Sequence, residues 1–161
     1  MSPARDENPF WQFSLAVYGA PGVAQECIGL QDRHGIDVNV LLFVAWLSAE
    51  RGWVLSRTML ESIEARVSAW HQNVVAPVRA ARRHIKQSGP LALYDEIKAL
   101  ELKLEQAEQL QLFELADTLD GPRAEPAQAL RANLALYAEQ KNAPMATCLL
   151  AAVTARLAGA E

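Results

Sequence analysis

The stretch LESIEARVSAWHQNVVAPVRAARRHI, residues 60–85, decides the fold of this chain. Its large apolar side chains recur at steps of three and four residues: Leu60, Ile63, Val67, Trp70 and Val74. Because an α-helix has about 3.6 residues per turn, these steps place the side chains on one face. The pattern predicts a helix that buries this face in a hydrophobic core.

Two sequence features mark this helix: Pro77 interrupts it, and a capping pattern stands at its N-terminal end. Proline lacks a backbone N–H and its ring clashes with the preceding turn, so we expect one long helix with a kink near Pro77. The helical pattern resumes over residues 78–85. At the other end, Thr58 and Glu61 have the spacing of a capping box, which predicts that Thr58 caps the helix.

The rest of the chain divides into further helices at residues that start or stop them. Asn8 and Asp37 are typical of helix starts, and Gly52 is typical of a helix end. Besides the kinked helix, the predicted helices cover residues 9–18, 21–34, 38–51, 91–119, 126–141 and 144–157. The sequence therefore predicts an all-α fold, a single-domain bundle of about six to seven helices over residues 1–161. We expect residues 1–7 to form a flexible N-terminal tail.

Composition narrows the classes of function. Of the 161 residues, 51% are hydrophobic, which is enough for a core without disulfides or a structural metal. The formal net charge of -4 argues against a general nucleic-acid binder, because that task requires a basic surface facing phosphates. We expect Cys27 and Cys148 to be free thiols in a reducing compartment, and a bond between them is the alternative.

The sequence contains no predicted membrane or export signal. The longest apolar run, residues 40–47, is much shorter than the roughly 20 residues that span a bilayer. The first residues lack the apolar stretch and cleavage site of a signal peptide. We therefore expect a cytoplasmic protein that does not contact a membrane.

A basic strip on the second half of the kinked helix supplies the candidate binding residues. Its four cations lie at helical offsets 0, 3, 4 and 7 and share one face, next to the end of the apolar seam. The candidates for binding an anion or a partner are Trp70, His71, Arg79, Arg82, Arg83 and Lys86. One interpretation is an external anion, which would be a nucleotide phosphate, an RNA backbone or an acidic protein.

The other interpretation of the basic strip is pairing within the chain. The following helix, residues 95–117, is rich in carboxylates, and the two helices can fold back as a hairpin. Arg82 or Lys86 would then pair with Asp95 or Glu96, an exposed contact that contributes at most about 1 kcal/mol. The residues alone leave both interpretations open.

Metal and catalytic chemistry find little support in the sequence. Glu101, Glu105 and Glu108 share a helical face, but helical di-metal sites also need a Glu-x-x-His, which this chain lacks. We interpret these carboxylates as a solvated acidic face. The three histidines stand apart and are interpreted as structural: His34, His71 and His84. We find no phosphate loop, nucleophile elbow or Cys/His dyad, and predict no catalytic residue, no cofactor and no metal ligand.

Several segments resemble a family of small proteobacterial proteins that is known as a domain of unknown function. The segments are FWQFSLAVYG at residues 10–19, GVA at 22–24, DVNVLLF at 37–43, WHQNVVAPVR at 70–79, and the pair Arg82 and Arg83. The resemblance covers roughly residues 8–120. It implies a short, cytoplasmic, helical protein that is not fused to a catalytic domain, and it brings no activity, cofactor or catalytic residue.

These observations rank three hypotheses about function. The leading one is a non-enzymatic interaction or regulatory protein that docks another protein, or a second copy of itself, through residues 70–86. The second is a small-molecule or nucleotide-phosphate binder, or an enzyme, with a pocket between helices. The aromatic cluster at residues 10–13 can line such a pocket, although we expect it to pack in the core. The third is an RNA-associated factor, which the acidic net charge makes less favoured.

Overall fold

Residues 7–160 are described by a computed structural model, and they form an all-α fold. The helices are α1 Pro9–Tyr18, α2 Val23–His34, α3 Val38–Arg51, α4 Arg57–Trp70, α5 Ala76–Ser88, α6 Leu91–Ala116, α7 Pro126–Gln140 and α8 Thr147–Gly159. A π-helical segment, His71–Val75, joins α4 to α5, so seven helical rods result and the predicted fold class is confirmed. Of the predicted tail, all but Glu7 lies outside the described residues. Among residues 7–160, no helix is long and apolar enough to cross a membrane.

Helix α3 occupies the centre of the bundle because it is apolar on every side. It packs against α1, α2, α6, α7 and α8, and Phe43, Val44 and Leu47 are completely buried. Each large apolar side chain removed from water contributes about 1.5–3 kcal/mol to folding. The helix begins at the predicted cap, where Oδ1 of Asp37 accepts a hydrogen bond from the backbone N–H of Asn39 at 2.9 Å.

The rod formed by α4, the π-helical segment and α5 carries the irregularity predicted at Pro77. The widened turn lies just before the proline, where the N–H of Ala76 donates to the carbonyl of His71, five residues back. Pro77 has no N–H for the carbonyl of Asn73, and its ring would clash with that carbonyl in a regular α-helix. The π-helical segment therefore lies where the proline disrupts the regular α-helix.

The cap of α4 differs from the predicted one. Oγ of Ser56 accepts a hydrogen bond from the backbone N–H of Met59 at 3.1 Å, and Thr58 lies inside the first turn. The capping box predicted from Thr58 and Glu61 is therefore wrong. Ser56 takes the role because it stands at the extended residue that precedes the helix, with φ -93° and ψ 165°.

The apolar seam of α4 packs inside the chain. Leu60, Ile63 and Val67 are buried within the common core. Trp70 is partly buried, and its indole N–H donates to the backbone carbonyl of Leu104 on α6 at 3.1 Å. The seam therefore joins α4 to the rest of this molecule.

Helix α6 runs back along the rod formed by α4 and α5, and α8 closes the bundle beside α2. Helix α6 ends at Ala116, three residues before the predicted end, and α8 begins at Thr147 instead of residue 144. The N-terminus of α8 is capped from a distance by Glu26 of α2, whose carboxylate accepts from the N–H groups of Cys148 and Leu149 at 3.0 and 2.9 Å. This carboxylate satisfies two amides that have no partner within their own helix.

Candidate functional site

Two arginines of the basic strip are bound by carboxylates of α6. Nε of Arg79 donates to Oε1 of Glu101 at 3.0 Å, and Nη2 of Arg79 donates to Oε1 of Glu105 at 2.8 Å. Nε of Arg82 donates to the other oxygen of Glu101. Because Glu101 is buried and serves both arginines, this network closes the α5–α6 hairpin.

The pairing within the chain thus occurs, but with different partners from those expected. Asp95 and Glu96 lie one to two turns closer to the hairpin turn and are exposed, so the pairs predicted with Arg82 or Lys86 are wrong. Lys86 is exposed and makes no ion pair with any residue of the described range 7–160.

Arg83 points to a different helix from the other two arginines. Its Nη2 donates to Oδ1 of Asp32 on α2 at 2.9 Å, and both side chains are more than 40% exposed. The Arg83 hydrogen bond holds the pKa of Asp32 below its ordinary value. This contact ties α5 to α2 across the surface.

The interpretation of the α6 carboxylates as a solvated face is wrong. Glu101 is 6% exposed and Glu108 is 0% exposed, while Glu105 is half-buried. Burial raises the pKa of Glu105, and its hydrogen bond to Arg79 opposes that rise. These groups face the rod formed by α4 and α5 because the hairpin register sets them against its cations.

A second cluster lies beside this network, around His71 at the start of the π-helical segment. Its Nδ1 atom lies 3.1 Å from Oδ2 of Asp37 and 3.3 Å from Oε2 of Glu108. Asp37 comes from the cap of α3 and Glu108 from α6, so three separate elements supply the cluster. We refer to these three residues as the Asp37–His71–Glu108 cluster.

The two carboxyl groups of the Asp37–His71–Glu108 cluster lie in a poorly solvated place. Burial raises the pKa of Asp37 well above its ordinary value, and the hydrogen bond and charge of Glu108 raise it further. Burial also raises the pKa of Glu108. Its hydrogen bonds with Asp37 and with the Asn39 amide oppose that rise, but among the described residues no donor reaches the buried Oε1 of Glu108 with hydrogen-bond geometry.

The cluster offers one ligand atom from each residue, and the three atoms lie within 4.8 Å of one another. An imidazole nitrogen and two carboxylate oxygens can hold a shared proton or a cation. From the sequence, His71 is expected to be structural, because no paired ligand spacing surrounds it. The partners lie 34 and 37 positions away in the chain, and no local spacing rule links them.

A cavity of about 750 Å³ opens between α1, α2, α3, α5 and α6. Its volume falls in the range of about 300–1,000 Å³ that is usual for small-molecule sites. One wall is apolar and carries large side chains from α1, α2, α3 and α6: Trp11, Leu15, Tyr18, Ile28, Leu42 and Leu102. The lining also carries four cations, which we call the cationic wall, Arg79, Arg82, Arg83 and Lys98, and four carboxylates stand among them, Asp37, Asp95, Glu101 and Glu105.

Polar side chains line the inner end of the cavity and connect it to the cluster. Oγ of Ser14 donates to Oε1 of Gln109 at 3.2 Å, and Nε2 of Gln109 donates to Oδ1 of Asn39 at 2.9 Å. Asp37 lines the same cavity and is also a member of the Asp37–His71–Glu108 cluster. The cavity and the cluster therefore adjoin through one carboxylate.

The six candidate residues from the sequence do not form one site in the structure. Arg79, Arg82 and Arg83 line the cavity, whereas His71 belongs to the cluster behind it. Trp70 binds α6 through its indole N–H, and Lys86 lies outside the cavity wall. The aromatic segment at residues 10–13 divides in the same way: Phe10 and Phe13 pack in the core as expected, and Trp11 lines the cavity.

The relationship of this chain to known proteins rests on one match. No curated protein and no solved structure matches it. Residues 9–112 match the model of a family described as proteins of unknown function, DUF2390. The matched range contains the whole cavity lining and the Asp37–His71–Glu108 cluster. The chain therefore belongs to the DUF2390 family.

Proposed function

We propose that this protein binds a small amphipathic anion, an organic molecule with an apolar body and a carboxylate or phosphate group, in the cavity between α1, α2, α3, α5 and α6. The observation that carries the proposal is a cavity of about 750 Å³ in which an apolar wall adjoins Lys98, a cation that has no ion pair with any described residue. Ligand sites are mostly apolar hollows with a few placed polar groups, and this cavity has that composition.

The apolar wall leaves large side chains in contact with water. Leu15 is 51% exposed, Ile28 45% and Leu102 49%, and all three line the cavity. Covering apolar surface contributes roughly 25 cal/mol for each Å² removed from water. The apolar body of a ligand between α1, α2 and α6 would therefore cover this exposed surface, and its removal from water would favour binding.

The cationic wall supplies groups for the charged end of the ligand. Lys98 is exposed and has no ion pair with any described residue, so its ammonium is available to an anion. Nε of Arg82 donates a hydrogen bond to Glu101, and this bond fixes the position of the Arg82 guanidinium in the cavity lining. A guanidinium that is already oriented loses less entropy when it binds a carboxylate or a phosphate.

The other sequence-based hypotheses stay predictions. Docking of a protein or of RNA through residues 70–86 is less favoured, because these residues do not form one exposed surface: Trp70 and Arg79 are largely buried against α6, and His71 belongs to the Asp37–His71–Glu108 cluster. We also keep a cytoplasmic location and a proteobacterial origin as proposals. The unpaired state of Cys27 and Cys148 in the described structure supports a reducing compartment. Simple binding accounts for the site, and no catalytic role is proposed.

Thermal shift and calorimetry with three related probes would test the proposal. Decanoate and decyl phosphate carry an apolar chain and an anion, whereas decanol carries the chain alone. We expect both anions to raise the melting temperature and decanol to do so less, since a ligand at one hundred times its dissociation constant stabilises by about 2.7 kcal/mol. If none of the three stabilises the wild-type protein, the proposal is wrong.

Matched variants locate the binding. Leu15→Asp and Ile28→Asp place a carboxylate on the apolar wall at exposed positions, so we expect them to fold and to lose anion binding. Leu91→Asp is the control, because Leu91 is 78% exposed and lies outside the cavity. Lys98→Gln should weaken the binding of the two anions and leave the binding of decanol unchanged. Equal binding by the wall variants and the control would contradict the assignment to this cavity.

A further inference from the structure

The Asp37–His71–Glu108 cluster has the spacing of ligands around a metal ion. Two ligands that bind one ion at about 2.1 Å and subtend 90–110° lie roughly 3.0–3.4 Å apart. The Nδ1 atom of His71 lies 3.1 Å from Oδ2 of Asp37 and 3.3 Å from Oε2 of Glu108. Both distances fall in that interval, and all three ligand atoms lie within 4.8 Å of one another.

Hydrogen bonding within the described part of the chain leaves one oxygen of this cluster without a partner. Nδ1 of His71 carries at most one hydrogen, so it donates to one of two carboxylates that both lie within reach. Glu108 is completely buried, and its Oε1 atom has no hydrogen-bond partner in the described part of the chain. A buried carboxylate oxygen without a partner is costly, and buried charges in proteins are usually paired or bound to a metal. The unpartnered oxygen is an observation independent of the cluster's composition, and it points to a missing ligand.

The donor set indicates the class of ion. One imidazole nitrogen favours zinc, iron, cobalt or nickel, and two carboxylate oxygens also suit manganese. Calcium needs six to eight oxygen ligands, and magnesium rarely takes nitrogen, so neither fits this set well. When both carboxyl groups are deprotonated they carry a charge of -2, which a divalent ion neutralises.

An ion can reach the cluster and keep free coordination positions. The side chains of His71 and Asp37 are 19% and 14% exposed, and Asp37 lines the cavity. The position of His71 depends on the π-helical segment that it starts, and such segments inside α-helices are frequent at functional sites. Three protein ligands leave room for water or another molecule, as in catalytic zinc sites.

We infer that Asp37, His71 and Glu108 form a binding site for one divalent first-row transition-metal ion, of the zinc, manganese or cobalt class, at the inner end of the cavity. This inference does not depend on the proposed anion ligand, because none of its three residues belongs to the cationic wall.

Titration of protein stripped by dialysis against a chelator would test the site. Calorimetry with Zn²⁺, Mn²⁺ and Co²⁺ is expected to show one ion bound per chain, with Mg²⁺ and Ca²⁺ binding more weakly. Co²⁺ gives a second readout, since its visible absorption reports coordination by nitrogen and oxygen. If the stripped wild-type protein binds none of the three transition ions at millimolar concentration, the inference is overturned.

Isosteric variants assign the ligands. We expect His71→Gln and Glu108→Gln each to weaken Zn²⁺ and Co²⁺ binding more than about 100-fold, because the loss of an outer-shell partner alone costs 10–100-fold. His84→Gln is the matched control, since His84 is exposed and lies outside the cluster. Near-ultraviolet circular dichroism verifies folding, and if Glu108→Gln does not fold, the partly exposed His71 provides the deciding variant. Binding that both folded variants retain at wild-type strength would overturn the assignment.

Discussion

The Nε atom of Arg79 donates to Oε1 of Glu101 at 3.0 Å, and this pair holds the last helix of the long rod against α6. Both side chains are largely shielded from water, with 12% and 8% of their surface exposed. Removing one partner of a buried ion pair is costly, because it leaves the other charge without compensation. The stability of the α5–α6 hairpin therefore depends on Glu101, which serves two arginines at once.

Glu101→Gln is expected to lower the free energy of unfolding by about 3 kcal/mol, measured by urea denaturation, because Arg79 and Arg82 lose a charged acceptor. Glu96→Gln is the control on the same helix, since Glu96 is exposed and substitutions there usually change stability by less than about 0.5 kcal/mol. Equal effects of the two substitutions would show that the ion pair does not stabilise the hairpin.

The cap of α4 gives a second prediction. Ser56→Ala removes the acceptor for the N–H of Met59 and should cost about 1 kcal/mol of stability. Thr58→Ala should cost much less, because Thr58 lies inside the first turn and does not accept that bond. Chemical denaturation of both variants measures the difference, and a larger loss for Thr58→Ala would restore the capping box that the sequence predicted.

The buried thiol gives a prediction about pH. Burial raises the pKa of Cys27 to about 12 from an ordinary value of 9.0, so the folded state keeps its proton where the unfolded chain loses it. The stability that Cys27 contributes is therefore fully present below pH 9 and is lost as the pH rises toward 12. The stability difference between wild type and Cys27→Ala should shrink above pH 9, by up to about 1.4 kcal/mol per pH unit.

A labelling experiment checks the same thiol. Reaction with a disulfide reagent at neutral pH should modify Cys27 only as the protein opens, because the attacking species is the thiolate. Cys148 is half-buried and should react first, so Cys148→Ser should remove the fast phase. A fast phase that persists in Cys148→Ser would show that Cys27 is accessible.

The helices were largely predictable from sequence because the signals that form them are local. Asn8 was expected to cap α1, and its Oδ1 accepts from the N–H of Phe10 at 2.9 Å. Asp37 was expected to cap α3 and does so, and the steps of three and four residues marked the buried face of α4. Ser56 and Thr58 both carry a hydroxyl that can cap a helix. Which of them caps α4 depends on where the first turn packs, and the capping-box spacing gives no information about packing.

The candidate site was less predictable because it forms between helices that are far apart in the chain. The partners of Arg79 depend on the register of the α5–α6 hairpin, which selects Glu101 and Glu105. His71 meets Glu108 only because the π-helical segment and α6 lie side by side. The capping pattern predicts only that Asp37 starts α3, through its Oδ1 atom. It does not predict that the second oxygen, Oδ2, lies 3.1 Å from Nδ1 of His71.

The last prediction concerns the link between α2 and α8. Ala146 precedes α8 and has no side-chain oxygen, so the amides of Cys148 and Leu149 depend on Glu26. We expect Glu26→Ala to lower the free energy of unfolding by about 1–2 kcal/mol, because it removes a cap and a negative charge at the positive end of the helix. Hydrogen exchange should also become faster at these two amides.

Gln25→Ala is the matched control for this variant, because Gln25 is the exposed neighbour of Glu26 on α2. It should leave the exchange of the first amides of α8 unchanged. Glu26→Gln keeps an acceptor oxygen and loses the charge, so it should fall between wild type and Glu26→Ala. If all three variants exchange alike, α8 does not need a carboxylate from α2, and packing alone holds it in place.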